Sequence, residues 1–168
     1  MTRAASSHSA STTALVVART EADTAALGAA LALCVRSGDI IALEGPLGSG
    51  KTVFARGFIR ALCGENTVVP SPTFTLVQIY DAPEFPVWHC DLYRLGDEDD
   101  ALEIGLEEAF ADAVTLIEWP DRLGRWLPNR RLSVAFAGED RDESRRIVLD
   151  GDSSWRERIE GLTAYAAT

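Results

Sequence analysis

The sequence predicts an α/β domain: a central mixed sheet, parallel in its core with antiparallel strands added, flanked by helices. Two observations lead there and a third bounds it. Gly45-Pro46-Leu47-Gly48-Ser49-Gly50-Lys51-Thr52 has the G-x-x-x-x-G-K-[ST] form of a phosphate-binding loop. Residues 39–44 before it read as a short buried strand. Residues 53–62 after it read as an amphipathic helix, with Phe54, Phe58 and Leu62 at i, i+4 and i+8. That order aims backbone N–H groups and a helix N-terminus at an anion, so the chain reads as a single P-loop NTPase domain. The bound comes from size: 168 residues suit one domain, and 46% hydrophobic residues suffice for its core.

Composition sharpens the loop. Lys51 is the only lysine, against fifteen arginines. A compact ammonium on a flexible stem suits bridging phosphates better than a planar guanidinium. Gly48, Ser49, Gly50, Lys51, Thr52 and Val53 are therefore the expected nucleotide cradle.

The elements follow in order. Residues 1–13 are rich in Ser, Thr and Ala, lack the apolar core of a signal peptide, and read as a disordered tail. The folded domain is expected over 14–168. A first strand is expected at 14–19. Thr20 and Asp23 form a capping box for a helix that turns Leu27, Leu31 and Cys34 inward and ends near Ser37-Gly38. After the phosphate-loop unit, Pro70 and Pro72 delay pairing until a strand at 76–80. A turn at 81–86 leads to a strand at 87–91, so the two form a hairpin. Helices are expected from Asp97 to about Ile104 and at 106–110. The apolar run 113–118 reads as a central buried strand, stopped by Trp119-Pro120. A helical turn at 121–126, two antiparallel strands at 132–136 and 145–149, and a helix at 155–165 complete the chain.

Charge and cysteines exclude several classes. A formal net charge of −10 argues against an extended footprint on nucleic acid. Arg122, Arg125, Arg130 and Arg131 form either a local basic patch or a solvated surface. Cys34, Cys63 and Cys90 are scattered and odd in number, which fits a reducing cytoplasm and neither a zinc site nor a disulfide framework. His8 and His89 lie too far apart in sequence for a multi-histidine metal site. No apolar run reaches the roughly 18–20 residues that span a membrane.

A phosphate loop by itself means nucleotide binding; chemistry needs a metal and a positioned attacking group. Thr52 is the first candidate ligand for Mg²⁺. Asp91 and Glu118 each end a strand where the crevice of an open α/β sheet lies. One can hold Mg²⁺ while the other orients or activates water, and strand geometry alone does not assign them. Ser71-Pro72-Thr73 is either a switch that reaches a γ-phosphate or a rigid turn. Trp119 either stacks on a base or belongs to the core. Tyr93-Arg94 either touches phosphate or a partner, or packs along its own strand end.

Four motifs in order, Gly45 to Thr52, Ser71-Pro72-Thr73-Phe74-Thr75-Leu76, His89-Cys90-Asp91-Leu92-Tyr93-Arg94-Leu95 and Glu118-Trp119-Pro120, resemble the TsaE (YjeE) family. These are small P-loop ATPases needed for threonylcarbamoyladenosine (t6A) modification of tRNA. The resemblance covers about residues 38–128. It implies ATP and Mg²⁺ as cofactors, with TsaB- and TsaD-like partners that act on adenosine 37, so that tRNA is met only indirectly. It implies that Thr52, Asp91 and Glu118 lie at the Mg²⁺, that Lys51, Asp91 and Glu118 serve hydrolysis, and that the Ser71–Thr73 loop is switch-like. It places Trp119, Glu21 and a late-strand arginine, Arg145 or Arg146, near the nucleotide. Pro46 departs from the acid frequent in the family and removes one N–H donor from the loop. Two other readings remain beside the ATPase. One is a nucleotide-dependent assembly module with incidental hydrolysis. The other is a small-molecule kinase, for which the sequence offers no Arg-rich lid.

Overall fold

A computed structural model of the chain describes residues 10–138 and 144–166. Its elements are β1 (Thr12–Ala18), α1 (Glu21–Ala32), β2 (Ile40–Glu44), α2 (Lys51–Cys63), β3 (Val77–Asp81), β4 (Pro86–Asp91), α3 (Asp100–Ile104), α4 (Leu106–Asp112) and β5 (Val114–Glu118). A 3-10 segment (Pro120–Trp126), β6 (Leu132–Gly138), β7 (Arg145–Gly151), a 3-10 turn (Ser153–Trp155) and α5 (Arg156–Ala166) follow. The strands form one sheet in the order β1-β7-β6-β2-β5-β4-β3. β2 runs parallel to β5 and β6, and β4 runs parallel to β5. The β3–β4, β6–β7 and β1–β7 pairs are antiparallel. The sheet is thus mixed with a parallel centre, as the sequence predicts.

Burial follows that topology. All five residues of β5 and the first four of β2 are buried, as befits central strands covered on both faces. One apolar cluster joins Leu27, Leu31, Phe54, Phe58, Leu116 and Ile159, so α1, α2 and α5 share a face. The other joins Cys90, Leu106, Ile117 and Leu123 beneath α3, α4 and the 3-10 segment. α1 and α2 cross closely. A Cβ at Gly57 would lie 2.1 Å from the Ala25 carbonyl oxygen, and one at Gly28 would lie 2.2 Å from that of Phe54. The crossing brings the start of α1 beside the phosphate loop.

The local departures each have a cause. β1 starts at Thr12, inside the expected tail: Thr12 and Thr13 pair with Gly151 and Asp150, and the Thr13 hydroxyl donates to the Asp150 carboxylate at 2.9 Å. Residues 1–9 of that tail lie outside the described residues. α1 has its Thr20–Asp23 capping box but stops at Ala32, before Ser37-Gly38. The Arg158 guanidinium claims the Cys34 carbonyl at 3.3 Å, and Gly38 N–H donates to Ala113 O at 2.9 Å, so this backbone serves other partners. β3 begins at Val77 because Leu76 adopts a left-handed φ of 64° and donates its N–H to Pro72 O at 2.7 Å. α3 begins three residues after Asp97. The Asp97 carboxylate accepts the Asp99 N–H and the Asp100 carboxylate accepts the Asp97 N–H, each at 3.0 Å. Such local side-chain bonds compete with the first helical turn. β6 pairs antiparallel with β7 as expected, and it also adds in parallel to β2.

Candidate nucleotide site

β2 delivers the chain into the phosphate loop, and α2 leaves it. Gly50 supplies the N-cap position with φ 106° and offers no side-chain cap, so the first turn of α2 faces the cleft without a competing oxygen. A left-handed φ at this position favours glycine. Lys51 Nζ donates to Gly45 O at 2.6 Å and to Pro46 O at 2.8 Å, and sits 4.4 Å from the centroid of the Trp119 ring. Burial pulls the Lys51 ammonium below the usual lysine range; the Glu118 and Asp91 carboxylates oppose that shift.

The two acids meet because β4 and β5 are parallel neighbours in register, Asp91 opposite Glu118. Both are buried. Their partners differ. The Thr52 hydroxyl donates to Glu118, 3.1 Å from Oε1 and 3.3 Å from Oε2. The Thr73 hydroxyl donates to Asp91 Oδ2 at 3.0 Å, and Tyr93 N–H donates to Asp91 Oδ1 at 3.0 Å. Ser71 and Thr73 hydroxyls are 2.7 Å apart. Glu118 is therefore tied to the phosphate loop, and Asp91 to the Ser-Pro-Thr segment.

Behind Glu118 lies a residue that sequence reasoning passed over. His89, fully buried, places Nε2 2.8 Å from Glu118 Oε1. A carboxylate only accepts, so Nε2 carries the donated proton. His89 Nδ1 is buried without a hydrogen-bond partner.

One cleft of about 310 Å³ is lined by Glu21, Gly48, Ser49, Gly50, Lys51, Thr52, Val53, Thr73, Asp91, Glu118, Trp119 and Arg145, which are all the residues expected there. Thr24, Leu47 and Ser71 join them. Thr24 was legible in principle, because it follows Glu21 by one turn on the same helix face. His89 was legible too: it precedes Asp91 by two strand residues and must share its face. Adjacent strand residues point oppositely, which separates Arg145 from Arg146. Arg145 lines the cleft and donates from Nε to Ser49 O at 3.2 Å, so it grips the loop backbone directly. Trp119 holds a left-handed φ of 59° and lies 5.0 Å from the Tyr93 ring centroid; it lines the cleft and also packs, half-buried, against the second core cluster.

The donor set fits Mg²⁺ with a nucleotide phosphate. Thr52, Glu118 and Asp91 offer hard oxygens, and Ser49 Oγ is buried at the loop with no hydrogen-bond partner. No group of three or more His, Cys, Asp or Glu side chains suited to a metal occurs among the described residues, so the remaining ligands would be phosphate oxygens and water. No helix among the described residues is long and apolar enough to cross a membrane.

Strand, phosphate loop, uncapped helix and paired strand-end acids define an α/β domain of the P-loop NTPase type. The family described as "Threonylcarbamoyl adenosine biosynthesis protein TsaE" matches residues 18–147, wider than the 38–128 resemblance. The chain belongs to that family, which serves t6A biosynthesis. It is 41% identical over 127 residues to a Rickettsia bellii protein named tRNA threonylcarbamoyladenosine biosynthesis protein TsaE, covering 76% of this chain and 88% of that one. It is 39% identical over 124 residues to the Bacillus subtilis protein of the same name, covering 72% and 77%. The crystal structure of Bacillus subtilis YdiB superposes with a TM-score of 0.75 at 29% identity, over 93% of this chain and 97% of that one.

Proposed function

We propose that this chain is a Mg²⁺-dependent ATPase that supports t6A modification of adenosine 37 in tRNA in the cytoplasm, acting with TsaB- and TsaD-like partners. The observation that carries the reading is the Thr52–Glu118 contact beside the lone lysine of an uncapped phosphate loop. Thr52 and Glu118 would hold Mg²⁺, which supplies charge neutralisation to the β- and γ-phosphates. Lys51 would move from the loop carbonyls onto phosphate oxygens. Asp91, bonded to Thr73, would orient the attacking water and link it to the Ser71–Thr73 segment. Trp119, Glu21 and Thr24 would border the nucleoside, and Arg145 would keep the loop in shape. The formal net charge of −10 suits a subunit that leaves tRNA to its partners.

The test is ATP turnover of the chain alone and with TsaB- and TsaD-like proteins. The expected result is partner-stimulated hydrolysis that is lost in Lys51→Ala and Glu118→Ala. A second reading, the assembly module, draws support from the Thr73–Asp91 bond, which ties the partly exposed Ser71–Thr73 segment to the site. If Glu118→Ala binds ATP, does not hydrolyse it, and still supports repeated modification cycles, that second reading replaces the first.

A further inference from the structure

β4 brings two side chains to Glu118. Asp91 stands beside it in register, and His89 stands one pleat below, opposite Leu116. A fully buried imidazole with one nitrogen unpartnered is less favourable than an aliphatic side chain of similar size, unless the bond from its other nitrogen matters. That bond ends on the carboxylate shared with Thr52.

We propose that His89 is a positioning residue for the metal ligand: its Nε2–H clamps Glu118 Oε1 from behind and leaves the remaining lone pairs turned to Thr52 and the cleft. Without the clamp, the Thr52 hydroxyl alone would hold the Glu118 carboxylate, and its orientation would be less fixed when a cation binds. Hydrogen-bonded outer partners of this sort are worth about 10–100-fold in metal affinity. The inference rests on the Mg²⁺–ATP reading of the cleft.

Calorimetry with a non-hydrolysable ATP analogue tests it, first without Mg²⁺ and then as Mg²⁺ is added. His89→Leu is expected to weaken Mg²⁺ binding by about 10–100-fold, and His89→Gln, whose amide N–H reaches the same point, to stay within about threefold of the parent chain. Affinity for the analogue without Mg²⁺ should be the same in all three. If the parent chain shows no strengthening by Mg²⁺, the site reading fails and takes this inference with it. If the parent chain is strengthened and His89→Leu equally so, this inference alone fails. It also fails if Gln and Leu lose affinity alike at matched melting temperature. Should the variants not fold, ¹⁵N-histidine spectra of the parent chain decide, because its two histidines are easily told apart. An Nε2–H tautomer whose signal moves when Mg²⁺ joins the analogue supports the clamp; a signal indifferent to Mg²⁺ overturns it.

Discussion

Gly57→Ala sets two opposing effects against each other at one atom. Alanine is the better helix former by about 1 kcal/mol, so a free-standing α2 would gain from the change. The new methyl, however, would lie 2.1 Å from the Ala25 carbonyl oxygen, 2.7 Å from its carbonyl carbon and 2.8 Å from its Cα. All three are backbone atoms of α1, so no side chain can swing aside. The helices must part by roughly 1.4 Å to reach ordinary contact, given optimal separations near 3.5 Å. Overpacking of that kind costs about 1–3 kcal/mol, and a backbone obstacle places this case at the upper end. The net loss should be about 2 kcal/mol, or a melting point lower by roughly 4–8 °C for a chain of this size. Gly161 in α5 is the control: a Cβ there meets nothing within 4 Å. Gly161→Ala should therefore raise the melting point by about 2–4 °C from propensity and unfolded-state entropy. Thermal unfolding followed by circular dichroism compares the two. A Gly57→Ala chain that melts at or above the parent would refute the close-crossing argument. The same separation would draw Glu21 and Thr24 away from Gly50, so nucleotide affinity should fall with stability.

Three further outcomes are expected. Lys51→Arg keeps the charge but replaces a compact ammonium, held by two carbonyls beside the Trp119 ring, with a planar fork; ATP turnover should fall by about 10²–10³-fold, and near-normal turnover would mean the ammonium's shape is irrelevant. Asp152 caps the turn before α5, and its hydrogen bonds from Ser154 hold its carboxyl below the usual range. Stability from such a depressed group is present above the ordinary carboxylate pKa and is lost as pH falls through the folded value. Asp152→Ala should cost about 1 kcal/mol at neutral pH, and urea titrations should show that penalty shrinking toward zero in strong acid. Cys90 is fully buried, and burial drives its thiol far above the usual range. Maleimide labelling read by mass spectrometry should spare it in the native chain and reach it in urea.

What was readable beforehand follows from how local each signal is. The phosphate loop, the β3–β4 hairpin and the apolar run of β5 are written in contiguous residues, and the structure reproduces them. Asp91 and Glu118 were readable because both end strands. Their different partners were not, since Thr52, Thr73 and His89 come from three separate segments. The end of α1 was misjudged for the same reason: the groups that claim its following backbone, Arg158 and Ala113, lie far along the chain. Leu76 shows the complementary limit. Its left-handed backbone is imposed by the link to Pro72, against the preference of leucine.

The strand order carries a consequence for how the chain is made. Among the described residues β1 pairs with β7 alone, with Leu15 beside Val148, and β2 is flanked by β5 and β6. On the ribosome, the phosphate loop emerges while both strands that wedge β2 in place are still unwritten. Its apolar neighbours must wait in company other than their final one, and such distant pairings are intrinsically slow to close. Nucleotide binding should therefore switch on late in synthesis, after β6 emerges, and a nascent chain arrested before β5 should hold no nucleotide although it already contains every residue of the loop.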